Sequence, residues 1–474
     1  MITQHIKNPF LLALISGILC ILSFPPFNLS FLIWIALIPL IYAIIITPYE
    51  KKKFFGISYY VAPLIGIVFG LVFYFGTLHW IYNIFGLFGL LLLLILCIYP
   101  YIFSYSLNYV YHKLNKKILI IFLPTILWTA IEYIKSEAWW LKFTWMNLGY
   151  SQHNFLPTLQ FANIFGQYGV TALILIVNSI FVYILINQNN KKNITKSLIA
   201  LALIIVFVLS YGFIQLNNAH SPNTNVALIQ DESSEFSIYD NLISKINEDV
   251  NFILLPEYAL AEYLDENENR LSQIKNITNK HNSYFIVGSK DKSLNFEGMG
   301  YYNTAYLFNP NGDIIGKYYK MNPIQFFNDG DPGQEYSVFE TQHGKVGILI
   351  CYDMDYSYVA RNIVKNGAEI LFIPTYDAMR WSELQHKQHS SMTSMRAVEN
   401  GRFIARTATS GISQIIDPNG RITQEIEIGK SEIAVGSIQK ISKQTIYTKI
   451  GYLLPFFCII LSLILIFMSV FKKK

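Results

Sequence analysis

The chain is predicted to combine an all-α membrane region of eight helical spans with one inserted α/β domain. Three observations predict this. Only 14% of the residues are charged, against about 25% in an ordinary soluble domain. Apolar runs long enough to cross a bilayer, which needs about 20 residues, recur through the first half and once more at the end. Between the seventh and eighth runs lies a polar stretch of roughly 230 residues, enough for a domain with a core of its own.

The first seven runs cover about 9–25, 30–48, 58–80, 84–110, 118–136, 168–187 and 197–216, and the eighth about 450–471. The first ends in Phe24-Pro25-Pro26-Phe27 without a small-residue cleavage pattern, so it reads as a retained helix rather than a signal peptide. This gives a membrane region at 1–217, a soluble domain at 218–448 and a last helix with a basic tail at 449–474.

Orientation follows from the lysines. Lys7, Lys51 to Lys53, Lys113 with Lys116 and Lys117, Lys191 with Lys192 and Lys196, and Lys472 to Lys474 fall on alternate loops. The opposite loops are nearly free of basic residues apart from Lys135 and Lys142. Positive charge stays on the cytoplasmic side, so both termini are expected in the cytoplasm and the soluble domain outside it. The segment 137–166 is apolar but irregular. Its Trp139, Trp140 and Trp145 are expected as anchors at the membrane boundary.

In the soluble stretch, short apolar runs alternate with helical patterns. Val226–Gln230, Phe252–Leu255, Tyr284–Val287, Val346–Ile350 and Glu369–Ile373 read as buried strands. Helices are expected around 258–281 and 357–366. Continuous apolar strands separated by helices imply sheets covered by helices.

The net charge of +5 implies no nucleic-acid partner. Cys20, Cys97 and Cys458 lie in apolar runs and only Cys351 in the polar half, so no disulfide framework is expected. No metal site and no organic cofactor is implied, since no Cys-x-x-Cys or His-x-x-x-His pair occurs.

Three reactive residues follow strand runs, where sheets present their loops. They are Glu257 after Leu254-Leu255-Pro256, Lys320 at the end of Gly316-Lys317-Tyr318-Tyr319, and Cys351 after Gly347-Ile348-Leu349-Ile350. Each alone has an ordinary structural explanation: a helix-start charge, a solvated lysine, a small core residue. Together, in this order, they resemble the three signature blocks of the nitrilase superfamily. Arg396-Ala397-Val398-Glu399-Asn400-Gly401-Arg402 resembles a fourth block, and Asp417-Pro418-Asn419-Gly420 the hairpin after it.

That resemblance implies an α-β-β-α sandwich and a Glu-Lys-Cys triad. Cys351 would attack as thiolate, Glu257 would act as general base, and Lys320 would stabilise the oxyanion, with the Tyr352 amide as second donor and Asp353 in support. Soluble nitrilase relatives have no spanning helices. Over nearly its whole length this chain resembles the apolipoprotein N-acyltransferase family instead. The resemblance extends through Phe24 to Pro39, Trp128 to Lys135, Trp145 to Gln152, and Thr445-Ile446-Tyr447 with Gly451.

The family implies transfer of an acyl chain from a phospholipid, typically phosphatidylethanolamine, to Cys351. The chain then passes to the α-amino group of a diacylglyceryl-cysteine lipoprotein, both substrates being held in the lipid bilayer of the bacterial inner membrane. The sequence departs from the family at several places. Asn328 stands at the spacing of a supporting glutamate, for which Asp329 or Glu335 is the available substitute. Asp353 replaces Glu, Trp381 is displaced after Thr375-Tyr376-Asp377-Ala378, and Lys135 replaces Arg.

Glu132 and Lys135 share a helix face. They read either as a pair that snorkels to the surface or, with Trp145, as a lipid or substrate contact. The rival functions are a membrane-tethered nitrilase-type amide hydrolase and a non-catalytic lipid-binding or transport protein.

Overall fold

Apolar helices and polar strands separate into two units in the computed structural model, which describes residues 8–55, 57–293 and 298–472. One unit holds residues up to Ile214 together with those from Tyr452 onward, and the other holds Gln215–Gly451. Lys7, Lys473 and Lys474, which entered the orientation argument, lie outside the described residues.

Among the described residues six helices are long and apolar enough to cross a membrane: Val61–Leu78, Leu87–Leu114, Leu119–Ala138, Ala162–Ile186, Lys191–Leu216 and Leu453–Phe471. The first two expected spans are shorter, Pro9–Leu22 and Ser30–Ile46, and the second is broken at Leu37. A break inside a lipid-facing helix exposes backbone groups that no water can satisfy. Here Asn178 satisfies them, accepting from the Leu37 N–H at 2.9 Å and donating to the Ile33 carbonyl at 3.0 Å. Asn108 closes the end of the same segment by donating to the carbonyls of Ile44 and Thr47. Between Lys51–Phe54 (β1) and Ile57–Tyr60 (β2) the chain forms a two-stranded hairpin.

The segment 137–166 is more ordered than expected. A π-turn at Ile134–Ala138 ends the Leu119–Tyr133 helix, a 3-10 turn covers Leu148–Gln152, a short helix covers Leu156–Leu159, and a long helix begins at Ala162, with Gly166 at φ 67°. The snorkelling pair is not formed. Glu132 and Lys135 are buried, and each binds the 145–148 loop instead. Glu132 accepts from the Leu148 N–H at 2.8 Å and from Thr171 Oγ1 at 2.7 Å, while Lys135 Nζ donates to the Trp145 carbonyl at 2.8 Å. Trp145 is buried too, its ring 4.8 Å from Trp80. It is no boundary anchor, whereas Trp139 and Trp140 are exposed.

The second unit contains two six-stranded sheets. In the first, Thr224–Gln230 (β3), Phe252–Leu254 (β4) and Tyr284–Lys292 (β5) run parallel. Tyr301–Phe308 (β6) and Ile314–Tyr319 (β7) extend that sheet antiparallel. In the second, Gly344–Ile348 (β9), Ile370–Thr375 (β10) and Ile404–Ala408 (β11) are parallel. Antiparallel strands flank them: Val338–Thr341 (β8), Ser413–Ile416 (β12) and Ile422–Ile426 (β13). Glu432–Ile438 (β14) returns to pair with β3.

The sheets stack, Phe252 lying 4.9 Å from Phe372 and Thr407 Oγ1 donating to the Ile229 carbonyl. On the outer face of the first sheet, Phe236, Tyr239, Ile274 and Ile277 from two helices pack against Ala227, Ile253 and Phe285. The helix expected from 258 begins only at Glu268, where Asn267 caps it by accepting from the Arg270 N–H. The residues before it are tied to β5 through Leu260 N–H to the Gly288 carbonyl and Ser289 Oγ to the Glu262 carbonyl.

Replacing Asn178 by Leu keeps the volume and removes the cap on the broken span. The expected cost is about 1–3 kcal/mol for unsatisfied buried backbone groups, read as a lowered melting temperature in detergent; unchanged melting would refute the capping role.

Candidate active site

The loops after β4, β7 and β9 carry the reactive residues. Glu257 follows β4 by way of Pro256 and is 1% exposed. Its backbone lies so close to β5 that a Cβ on Gly288 would stand 2.5 Å from the Glu257 Cα, so only glycine fits there. Lys320 follows β7 and is fully buried. Cys351 opens the 3-10 turn Cys351–Asp355 after β9, with φ at 47°. A non-glycine residue in this left-handed region costs about 1–3 kcal/mol and persists only where its surroundings impose it. Tyr258, next after Glu257, is held the same way at φ 54°.

The side chains converge. Lys320 Nζ donates to Glu257 Oε1 at 2.8 Å and to Asp329 Oδ2 at 2.7 Å. Asn303 Nδ2, from β6, bridges the same two carboxylates at 2.6 and 2.8 Å. Glu257 Oε2 accepts from the Tyr376 N–H at 2.7 Å, and the Tyr376 carbonyl lies 3.7 Å from Cys351 Sγ. One residue after β10 thus touches both the acid and the thiol.

Of Asp329 and Glu335, Asp329 is the one that reaches Lys320. Asp329 is buried against Lys320 and also accepts from the Ile324 N–H at 2.8 Å and the Tyr258 hydroxyl at 3.2 Å. Glu335 and Asn328 are exposed. Asp353 is fully buried and joins the thiol's turn to the strand of Lys320. It accepts from the Tyr318 hydroxyl, the Met321 and Asn322 N–H groups, the Asn322 side chain and the Ile350 N–H. Tyr352 follows Cys351 in the turn, its ring against Tyr356.

Burial opposes the charge on Lys320, but Asp329 and Glu257 outweigh it and hold the ammonium protonated well above the ordinary lysine range. Burial pushes the Glu257 carboxyl up, with Lys320 pulling the other way. Burial, reinforced by the Glu257 charge, pushes the Cys351 thiol well up, opposed by Lys320. The resting site is therefore a protonated thiol beside a carboxylate–ammonium–carboxylate set, chemistry suited to a nucleophile whose proton leaves only as it attacks. Among the described residues no group of three or more His, Cys, Asp or Glu side chains is arranged to hold a metal ion.

Sequence reasoning missed Asn303, and it missed Asp355, Asp377, His389 and Arg406, which form a second buried polar cluster behind Cys351. The signal for Asn303 was a lone amide in the aromatic strand Tyr301–Phe308.

Two family models match this chain. Residues 212–447 match the carbon-nitrogen hydrolase family. Residues 16–180 match the apolipoprotein N-acyltransferase N-terminal domain. Along nearly its whole length the chain is similar to apolipoprotein N-acyltransferases. A relative of that name from Geobacter metallireducens is 27% identical, over 96% of this chain and 94% of its own length. One from Wigglesworthia glossinidia brevipalpis is 24% identical over 97% of each. Among solved structures, that of Saccharomyces cerevisiae Nit3 of the nitrilase superfamily aligns with a TM-score of 0.40 at 22% identity, covering 46% of this chain and 91% of that one.

Asp329→Asn is expected to lose about 3 kcal/mol of stability, because it removes one partner of a buried ammonium, together with most activity. Glu335→Gln is expected to stay within about 0.5 kcal/mol. Thermal melts and acyl-transfer rates of the two variants check the assignment, and equal behaviour would refute it.

Proposed function

We propose that this protein N-acylates lipoproteins through a thioester on Cys351. The observation that carries the reading is the buried Lys320–Glu257 contact at the strand ends that also bear Cys351, in a chain whose N-terminal half matches the family's own membrane domain.

In the first half-reaction Glu257 takes the thiol proton as sulfur attacks an ester carbonyl of a phospholipid. The oxygen that gains charge is met by the Lys320 ammonium and the Tyr352 amide; such a donor is worth about 2.7–4 kcal/mol of barrier. The tetrahedral adduct expels the glycerol oxygen, which Glu257 protonates, and lysophospholipid leaves. In the second, the α-amine of the diacylglyceryl-cysteine attacks the thioester. Glu257 accepts its proton and returns one to sulfur, and the amide leaves with the thiol restored. Asp329 and Asn303 keep Lys320 and Glu257 in register through both halves. Exclusion of water from the buried site favours the amine over hydrolysis.

The donor we assign is phosphatidylethanolamine. The membrane region consists of eight spans, the two short helices included, with both termini cytoplasmic and the α/β domain extracytoplasmic, on the alternation of the lysine clusters. The rival hydrolase uses the same triad, but an anchor alone needs one helix, and the N-terminal domain match runs through residues 16–180.

Intact-mass analysis after incubation with phosphatidylethanolamine vesicles is expected to show an acyl-sized, hydroxylamine-sensitive adduct on the wild type and none on Cys351→Ser. An adduct on both would refute Cys351 as the acyl carrier; none on either would refute the donor.

A further inference from the structure

Behind the thiol lies a buried polar cluster that the proposed reaction does not use. His389, on the Glu383–Asn400 helix, places Nδ1 2.9 Å from Asp377 Oδ1 and Nε2 3.3 Å from Asp355 Oδ1. Asp355 ends the turn that begins at Cys351. Asp377 directly follows Tyr376, whose N–H binds Glu257 and whose carbonyl faces the thiol. Arg406, from β11, pairs with the second oxygen of Asp377 and also lies 3.2 Å from His389 Nδ1, and Gln385 donates to the first oxygen at 3.1 Å. All of these side chains are buried.

We propose that His389 is a positioning residue for Cys351: its imidazolium clamps the nucleophile's turn, through Asp355, to the Tyr376 segment, through Asp377, and neutralises the carboxylate charge behind the thiol. This rests on Cys351 being the nucleophile. The same helix holds the turn at another point, Arg396 Nε donating to the Met354 carbonyl at 2.9 Å, so what is specific to His389 is its charge and its two-sided reach.

The charges close only when His389 is protonated. Asp355 and Asp377 bring two negative charges, Arg406 one positive, and the imidazolium supplies the other. His386, the remaining titratable group on the helix near this cluster, gives Nε2 to the Ala378 carbonyl at 3.0 Å instead, and its pKa is lowered chiefly by burial. Burial alone would strip the proton from His389, but Asp377 and Asp355 raise it to about 9, and burial's upward push on Asp377 is outweighed by His389 and Arg406. A free imidazole loses its proton near pH 6.5. The folded clamp therefore stays protonated through neutral pH and is lost as pH rises through about 9, and its contribution to folding stability is full below about 6.5.

The test uses full-length protein: wild type, His389→Asn, and the double variant Asp355→Asn/His389→Asn, which removes one charge of each sign. The readout is the single-turnover rate of the Cys351 acyl adduct against pH. At neutral pH His389→Asn is expected to be slower by about 10²-fold, the scale of a misplaced reacting group. Wild type should fall toward the variant's rate as pH passes about 9. The double variant should recover most of the loss and, where the single variant folds poorly, should also restore melting.

A constant ratio across pH, or a double variant no faster than the single one, would overturn the clamp. Alkylation of Cys351 by iodoacetamide, run on the same proteins, separates the clamp from the acyl-transfer reading. If wild type forms no adduct yet its alkylation slows in His389→Asn, the donor reading falls and the clamp stands. Equal alkylation rates overturn the clamp.

Discussion

The ammonium of Lys320, buried between Glu257 and Asp329, is the contact on which the rest of the catalytic unit depends. Taking such a charge out of water costs several kcal/mol, and a buried pair is weak evidence for stability. The site therefore exists at the expense of the core around it, and the surrounding structure is arranged to support it. Asn303 bridges both carboxylates, Gly288 lets Glu257 approach β5, and Asp353 ties the strand of Lys320 to the turn of Cys351. The left-handed backbone at Tyr258 and Cys351 stores strain that this network imposes. Its consequence is chemical: with the ammonium held by two acidic side chains, burial and the Glu257 charge push the thiol well up.

The same rule, that a buried polar group needs a partner, shapes the membrane unit by different means. No water satisfies a broken helix in lipid, so side chains from neighbouring helices do. Asn178 and Asn108 serve the broken second span, and Glu132 and Lys135 fasten the 145–148 loop. These polar residues bind backbone groups, and Glu132 also accepts from the Thr171 hydroxyl.

Much of this was legible in the sequence, for identifiable reasons. The strands of the parallel layers read as apolar runs because both of their faces are covered, and Glu257 and Cys351 stood out because each follows such a run, whereas Lys320 follows the more exposed β7. Antiparallel β6, β7, β12 and β13 carry polar or exposed residues, so no continuous apolar run marked them. The helix expected from 258 failed because Asn267 caps it ten residues later and the intervening chain is pinned to β5. Periodicity does not report such long-range contacts. The snorkelling alternative for Glu132 and Lys135 rested on spacing, which shows neighbours along a helix, whereas both bind the 145–148 loop and Glu132 also binds Thr171 on another helix. Asp329 and Glu335 were equal in sequence and are separated only by burial. His389 gave no signal, since its partners come from three distant segments.

The most direct test of the central claim is the thiolate absorbance of Cys351 at neutral pH, measured as the ultraviolet difference between wild type and Cys351→Ser in the resting enzyme. The account predicts no thiolate signal in the wild type, because burial and the Glu257 charge outweigh the pull of Lys320. A full thiolate signal at neutral pH would mean that Lys320 pairs with sulfur rather than with the two carboxylates, and would contradict it.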